Sequence, residues 1–464
     1  MTTAGTRTAS GDAVLMQALL EQTNSFTRDE RRRALAALIA RGLPTAPATD
    51  WVNMHMHTFF SFNGEGWSPT RLAWEALQRG LYSLAICDFD VLQGMGELFE
   101  AADRLQLRAA VGFESRTFFR EYAAQEINSP GEPGVFYFMG MGFIRLPAPG
   151  SRAAAVLADM LERSHARNRS LLQRINAGLR DVTVDYESDV LPLTPDRNAT
   201  ERHIVNAYHV KALNAFGGNT DRAAALWADR LGLDLKDACD SIKDTNRFTD
   251  KLRSKLMKKG GLGYKQPDVD TFPALDSVVE MIRECRAIPM STWLDGTSAG
   301  ESAPTAQLEC LIAKGIESVN IIPDRNWNLK DAAEKARKVA ELDRYVAAAQ
   351  ALDLPINVGT ELNKAGQRFV DDFAAAPMQR HHAAFLQGAQ IMVGHTRLLR
   401  WADLSYIDAA ATAEFPARAT RNAFFAAVGA LPGPDQRTRD CLAGLSSAKA
   451  YAYLADCARA GSWS

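Results

Sequence analysis

Apolar residues along this chain follow two textures. Residues 1–50 carry them at helix spacing, in LMQALLEQ and then RDERRRALAALIARG, closed by Gly42 and Pro44. From Trp51, short apolar and aromatic runs take turns with helical segments. WVNMHMHTFF is followed by a helix opening at Ser68-Pro69 and closing at Gly80. LYSLAICDFD, the helical MGELFEAADRLQ, LRAAVGFESRTFF and GVFYFMGMGF come next. Past Pro147 the alternation stops. Residues 151–262 are helical in pattern, with pairs such as Leu157/Leu161 and Leu171/Ile175. One extended stretch (DVTVDY) and one loop (LPLTPDRN) interrupt them. The alternation resumes with LDSVVEMIRECR, AIPMSTWL, AQLECLIAKG, IESVNIIP, an Ala-rich helix over 329–351 and LPINVGTEL. Residues 371–464 return to helix.

Seven strands of the buried, apolar type alternating with helices predict a parallel α/β architecture, either a barrel or an open doubly wound sheet. The expected organisation is an N-terminal helical extension over 1–50, a first α/β part over 51–150, a helical insertion over 151–262, a second α/β part over 263–370, and a helical region over 371–464. Polar residues gather at the C-terminal ends of the strands: His55 and His57, Asp88 and Asp90, Glu114, Asp295, Asp324 and Glu361. In an α/β barrel those ends form one rim, where active sites lie. The insertion is expected to cover that mouth.

Composition narrows the class. The chain is 464 residues long, 47% hydrophobic and 23% charged, which argues against disorder. With 53 Lys+Arg against 55 Asp+Glu it has no global field to hold nucleic acid or an anionic membrane. The first residues lack the basic start and apolar core of a signal peptide, and no apolar run suffices to span a bilayer. Six scattered cysteines without a CxxC read as free thiols, so a cytoplasmic protein is expected. Its size suits an enzyme, with a homo-oligomer open.

His55-Met56-His57 is the sharpest local signal. Period-2 alternation puts both imidazoles on one strand face, where they can share a divalent cation; the alternative is two half-buried, hydrogen-bonded rings. The run His55-Met56-His57-Thr58-Phe59-Phe60-Ser61, then Cys87-Asp88-Phe89-Asp90 at a strand end, then Gly112-Phe113-Glu114 resembles the opening of the PHP family (polymerase and histidinol phosphatase domains). That family shows HxHTxxS, a TDHD-like strand end and G-x-E. The resemblance spans roughly 51–143, and GIESVN and INVGTELN fit later family segments. It does not reach 1–50, the insertion or the C-terminal helices.

The resemblance implies a distorted (β/α)7 TIM-like barrel of PHP type and a metal-dependent phosphoesterase with two or three metals on the rim. Several family histidines are replaced here. Phe89 stands for the His of TDHD, Tyr137 for a fourth-strand His, and Ser291-Thr292-Trp293-Leu294-Asp295 for a later motif. Glu361 and Asn363 replace the final Asp and His. The metal ligands carried over are His55, His57, Glu114 and, by type, Glu361. They imply Zn, Mn or Fe, in fewer copies than the full cluster. Asp88 and Asp90, flanking Phe89, are the candidates for a general base; the alternative has Asp88 capping a turn and Asp90 solvated.

Other residues suggest anion binding. Arg202, Asn206 and His209 share a helix face, with His203 and Lys211 beside it; this is a phosphate or carboxylate site if the insertion folds over the rim, and otherwise a solvated polar face. Arg325 follows a strand near the rim, as an anion ligand or a loop salt bridge, and Lys364 is placed to meet an anionic substrate. Lys259-Gly260-Gly261-Leu262-Gly263 matches no nucleotide-binding loop and reads as a hinge. The basic run over 251–259 complements a helix C-terminus. His381, His382 and His395 read as structural.

The expected function is therefore metal-dependent hydrolysis, foremost of a small phosphorylated metabolite by a metal-activated water. The alternatives are a metal-assisted isomerase or lyase on a sugar acid, and a degenerate barrel that binds without catalysis. A small anionic substrate is expected in each, with no nucleic acid and no membrane.

Overall fold

Strand β1 (Val52–Met56) is buried along its whole length, so both of its faces meet protein. The other strands are β2 (Ser83–Phe89), β3 (Ala109–Phe118), β4 (Val135–Met141), β5 (Ile288–Trp293), β6 (Ser318–Ile321) and β7 (Ile356–Val358). The computed structural model describes residues 4–463. The seven strands form one sheet in sequence order. Its two edges come together where Met56 bridges Glu361: the His57 N–H donates to the Glu361 carbonyl at 2.6 Å, and the Glu361 N–H to the His55 carbonyl at 2.8 Å. The result is a nearly closed barrel.

The sheet is not all parallel, as the pattern of apolar runs had predicted. β4 runs antiparallel to both β3 and β5. A parallel neighbour needs a crossover, usually a helix, whereas the segment between β3 and β4 holds only a single turn at Arg120–Tyr122. Both faces of β4 are largely buried, so its composition is the same whichever way it runs. The stretch DVTVDY over 181–186, expected as extended, belongs to no strand, and its last residue opens a short helical turn at Tyr186–Val190.

Two hydrophobic cores result. One surrounds the barrel, and a second lies within residues 171–257, around Trp227, Tyr208 and Phe248. The helix Arg152–Leu179, about 42 Å long, joins them. Its Ala153 and Met160 pack into the barrel core, and its Leu171, Leu172, Ile175 and Leu179 into the second. The insertion thus begins in mid-helix. Asn198 pins it to the rim, donating through Nδ2 to the carbonyls of Phe60 (3.0 Å) and Phe89 (2.8 Å).

The C-terminal helices pack on the barrel. On His382–Ala402, Gly388 comes so close to β7 that a Cβ there would lie 1.9 Å from the Ile356 carbonyl oxygen. His395 Nε2 meets the Gly142 carbonyl at 3.0 Å, His381 Nε2 lies 2.7 Å from Asp343, and His382 Nε2 3.2 Å from the Asp50 carbonyl. None of the six cysteines is in a disulfide, and no described helix is long and apolar enough to cross a membrane.

Candidate metal centre

Alternation along β1 sends Val52, Met54 and Met56 to one face and Asn53, His55 and His57 to the other. Glu114 comes from β3, and the three side chains are buried. His55 Nε2 lies 3.5 Å and His57 Nε2 3.2 Å from Glu114 Oε2. None of the three atoms has a hydrogen-bond partner among the described residues, and all lie within 4.8 Å of one another. Ligands at about 2.0–2.1 Å in a tetrahedral shell stand roughly 3.3 Å apart. Both contacts to Glu114 therefore match what one small cation would need.

Charge supports the same grouping. Burial resists ionisation of Glu114, yet the two imidazoles hold its carboxyl well below the ordinary range, at about 2. Burial pulls the His57 pKa down, but the contact and charge of Glu114, with Asp88 and Glu361 behind it, leave it above the usual imidazole value.

The surroundings orient the rings. Asp88 is fully engaged: its Oδ1 accepts from the Thr58 N–H (2.7 Å) and Ser61 Oγ (2.6 Å), and its Oδ2 from Thr58 Oγ1 (2.7 Å). With its proton committed to Asp88, Ser61 Oγ accepts from His57 Nδ1, 3.1 Å away. That leaves the lone pair of His57 on Nε2, facing Glu114. The turn after β1 is thus built by Asp88, which here braces the loop.

On the other side, Asn320 Nδ2 stands 3.1 Å from His55 Nδ1. Asn357 Nδ2 donates to Asn320 Oδ1 at 2.9 Å and to the Met54 carbonyl at 3.0 Å. Loading a cation on His55 Nε2 requires Nδ1 to carry the proton, and hence an acceptor at Asn320. Phe89 packs its ring 4.3 Å from that of His57, where the resembled family has a further histidine.

Glu361 lies outside the convergent group. It adopts φ 66°, and both carboxylate oxygens accept from Arg325 Nη2, at 2.7 and 2.8 Å. Its charge is answered by an arginine, while its backbone closes the barrel.

The rim and the insertion enclose a cavity of about 660 Å³, lined by His55, Glu114, Asp90, Arg325 and Glu361 among others. Asp90 is buried with φ 60°, and its Oδ1 accepts from Ser115 Oγ at 2.5 Å. Burial raises its pKa against the pull of Arg167.

Of the anion ligands expected from sequence, Arg202 lines this cavity but is paired with Asp250. Lys364 pairs with the same Asp250 at 3.0 Å and is not a wall residue. His203 is turned away: its Nδ1 accepts from the Thr200 N–H at 3.0 Å, capping its own helix, and burial lowers its pKa to about 4. It faces a second, mostly apolar cavity of about 600 Å³ beside Phe62.

Other wall residues had not been singled out. Arg116 follows Glu114 by two positions on the same strand face, a signal available from period 2. Arg167 and Asn198 of the insertion carry none. Glu201 also lines the wall, with Arg253 and Lys258 each 2.8 Å away; burial opposes its ionisation, but these cations bring its pKa to about 2.

No protein-family model and no curated protein sequence matches this chain. Among solved structures, it is similar to a protein of Bifidobacterium adolescentis provisionally named a metal-dependent phosphoesterase. The two are 17% identical, with 74% of this chain and 98% of that one covered and a TM-score of 0.43. An amidohydrolase of Chromobacterium violaceum, with bound sulfate and no metal, is 14% identical, covering 72% of this chain and 96% of that one, again with a TM-score of 0.43. These likenesses are too distant to carry function, and the reading below rests on this chain's own residues.

Proposed function

We propose that this protein is a mononuclear metal-dependent hydrolase, with a small phosphoester as its substrate and His55, His57 and Glu114 as its metal ligands. The observation that carries the reading is the set of three buried, unpartnered ligand atoms, converging at separations of 3.2 and 3.5 Å. A shared cation answers all three atoms at once. Two imidazoles and a carboxylate suit Zn, Mn or Fe.

When bound, such an ion supplies Lewis acidity and lowers the pKa of a coordinated water towards ~7. The chain's residues do the rest. The Ser61–Asp88 brace holds His57 with its Nε2 lone pair forward. Asp90, on the cavity wall, takes the proton of the nucleophilic water. Arg325 meets the phosphate oxygens from its place on Glu361. Asn198 holds the insertion over the rim and limits bulk water.

Elemental analysis of the wild type beside His55→Ala/His57→Ala tests the site. About one metal per chain is expected in the wild type and none in the variant. Phosphate release from a panel of phosphate esters, lost in the same variant, tests the chemistry. No metal in either protein after incubation with excess Zn, Mn or Fe would sink the metal reading. A loaded protein that releases no phosphate would remove the phosphoester assignment and favour isomerase or lyase chemistry.

A further inference from the structure

Most cations around the cavity are already matched to a carboxylate: Arg325 to Glu361, Arg202 to Asp250, and Arg253 and Lys258 to Glu201. Others are held less closely. Arg174 is bonded only to the Gly263 carbonyl and Ser170 Oγ, at 2.7 Å each. Arg116 of β3 pairs only with Glu132, at 3.8 Å, and its side chain makes no hydrogen bond among the described residues. Arg167, on the helix Arg152–Leu179, donates Nη1 to the Thr271 carbonyl at 3.2 Å and forms no ion pair with any described carboxylate. Both guanidinium groups rest on the ring of buried Phe272, 4.5 and 4.6 Å from its centroid. Two like charges are therefore packed on one aromatic ring at the cavity wall, one from the barrel and one from the insertion. Burial, reinforced by repulsion from Arg116, lowers the Arg167 pKa to about 10. Asp90 shares this wall and its charge acts on both arginines, but it forms no ion pair with either among the described residues, and one of its oxygens is engaged by Ser115.

We infer that Arg116 and Arg167 form an anion-binding subsite, which takes a second oxyanion of the ligand, a phosphate or a carboxylate, beside the His55–His57–Glu114 group. The geometry supports this in two ways. Glu114 and Arg116 are alternate residues of one strand, so their Cα atoms stand about 7 Å apart on the same face, within the span of a small metabolite. The planar guanidinium forks, held by stacking on Phe272, leave N–H groups available for two-pronged oxyanion contacts. An anion entering there neutralises both charges and ties the insertion to the barrel. That this oxyanion is the second group of a substrate rests on the hydrolase reading; the subsite itself does not.

Titration calorimetry on the full chain tests the inference, with EDTA-treated protein and inorganic phosphate or succinate as the injected anion. At least one of the two is expected to bind the wild type; phosphate alone identifies a phosphate subsite, succinate alone a carboxylate one. Arg116→Gln and Arg167→Gln should each raise the Kd at least tenfold. Arg169→Gln, on the same helix but paired with Glu187 at 2.9 Å and off the cavity wall, should leave it within twofold. If a Gln variant fails to fold, Arg167→Lys keeps the charge without the fork and should still weaken binding severalfold. Because the protein is stripped with EDTA, loss of the anion subsite is read separately from loss of metal. Wild-type Kd values in folded Arg116 and Arg167 variants, or no anion binding to the wild type, would overturn the inference.

Discussion

Gly359 lies between β7 and the turn that carries Glu361, with its α-carbon against β1. A Cβ there would stand 2.5 Å from both His55 Cβ and His55 N, and 2.7 Å from Asn53 Oδ1. Ordinary contact begins at 3.4 Å, so Gly359→Ala forces a displacement of about 0.9 Å. A backbone nitrogen cannot rotate aside, so β1 must shift and carry His55 with it. Overpacking of this kind costs about 1–3 kcal/mol. A ligand displaced by about 1 Å no longer shares the spacing of the other two, and metal affinity should fall about 10–100-fold, the range that follows loss of a ligand's support. Zinc titration of the apo protein and thermal unfolding measure both effects. Gly96→Ala is the control, because a Cβ there meets only the end of the Arg28 side chain at 3.8 Å; it should leave both values unchanged. Wild-type zinc affinity and melting temperature in Gly359→Ala would refute the claim that β1 is held rigidly against Gly359.

Three further outcomes follow from the same site. In metal-free protein, the stability that Glu114 draws from the imidazoles is present above its ordinary pKa near 4.5 and lost as pH falls towards about 2, while that from the raised His57 is full below 6.5 and lost as pH rises through its folded value. The melting-temperature difference between wild type and Glu114→Gln in EDTA should therefore be widest between about pH 4.5 and 6.5; a difference that grows from pH 6.5 to 8 would contradict this. Asn320→Asp supplies the acceptor that His55 Nδ1–H needs, so zinc affinity by competition with a chelating dye should rise about tenfold, and a drop would remove Asn320 as the residue orienting His55. Asp88→Asn breaks the charged brace on Thr58 and Ser61 and should cost about 2–3 kcal/mol in urea unfolding; a loss below about 0.5 kcal/mol would mean the loop holds itself.

Some of this was legible before any coordinates. HxH on a strand reports a shared face because strand periodicity is a local property, and His55 and His57 do converge with Glu114. The helical character of 151–262 was legible for the same reason, since amphipathic spacing is written within each helix. Asp88 was legible as a site residue but not by role. Whether it is a free base or a brace depends on Thr58 and Ser61, thirty and twenty-seven positions away, whose hydrogen bonds exist only once β1 and β2 are paired.

Other features had no local trace. Glu361 and Arg325 belong to different strand ends, and only closure of the barrel put the guanidinium on the carboxylate. The direction of β4 was hidden because burial on both faces erases the polar alternation that would have distinguished its setting. Arg167 looked like any charged residue of a long helix until that helix was laid across the rim, onto Phe272 and beside Arg116. The chain by itself determined most of the helices and strands and which strand carries the paired imidazoles, because neighbours along the backbone decide periodicity. Only the tertiary structure decided which charges are answered and which are left facing a cavity, because electrostatic pairing is set by distance in space and not by position in the chain.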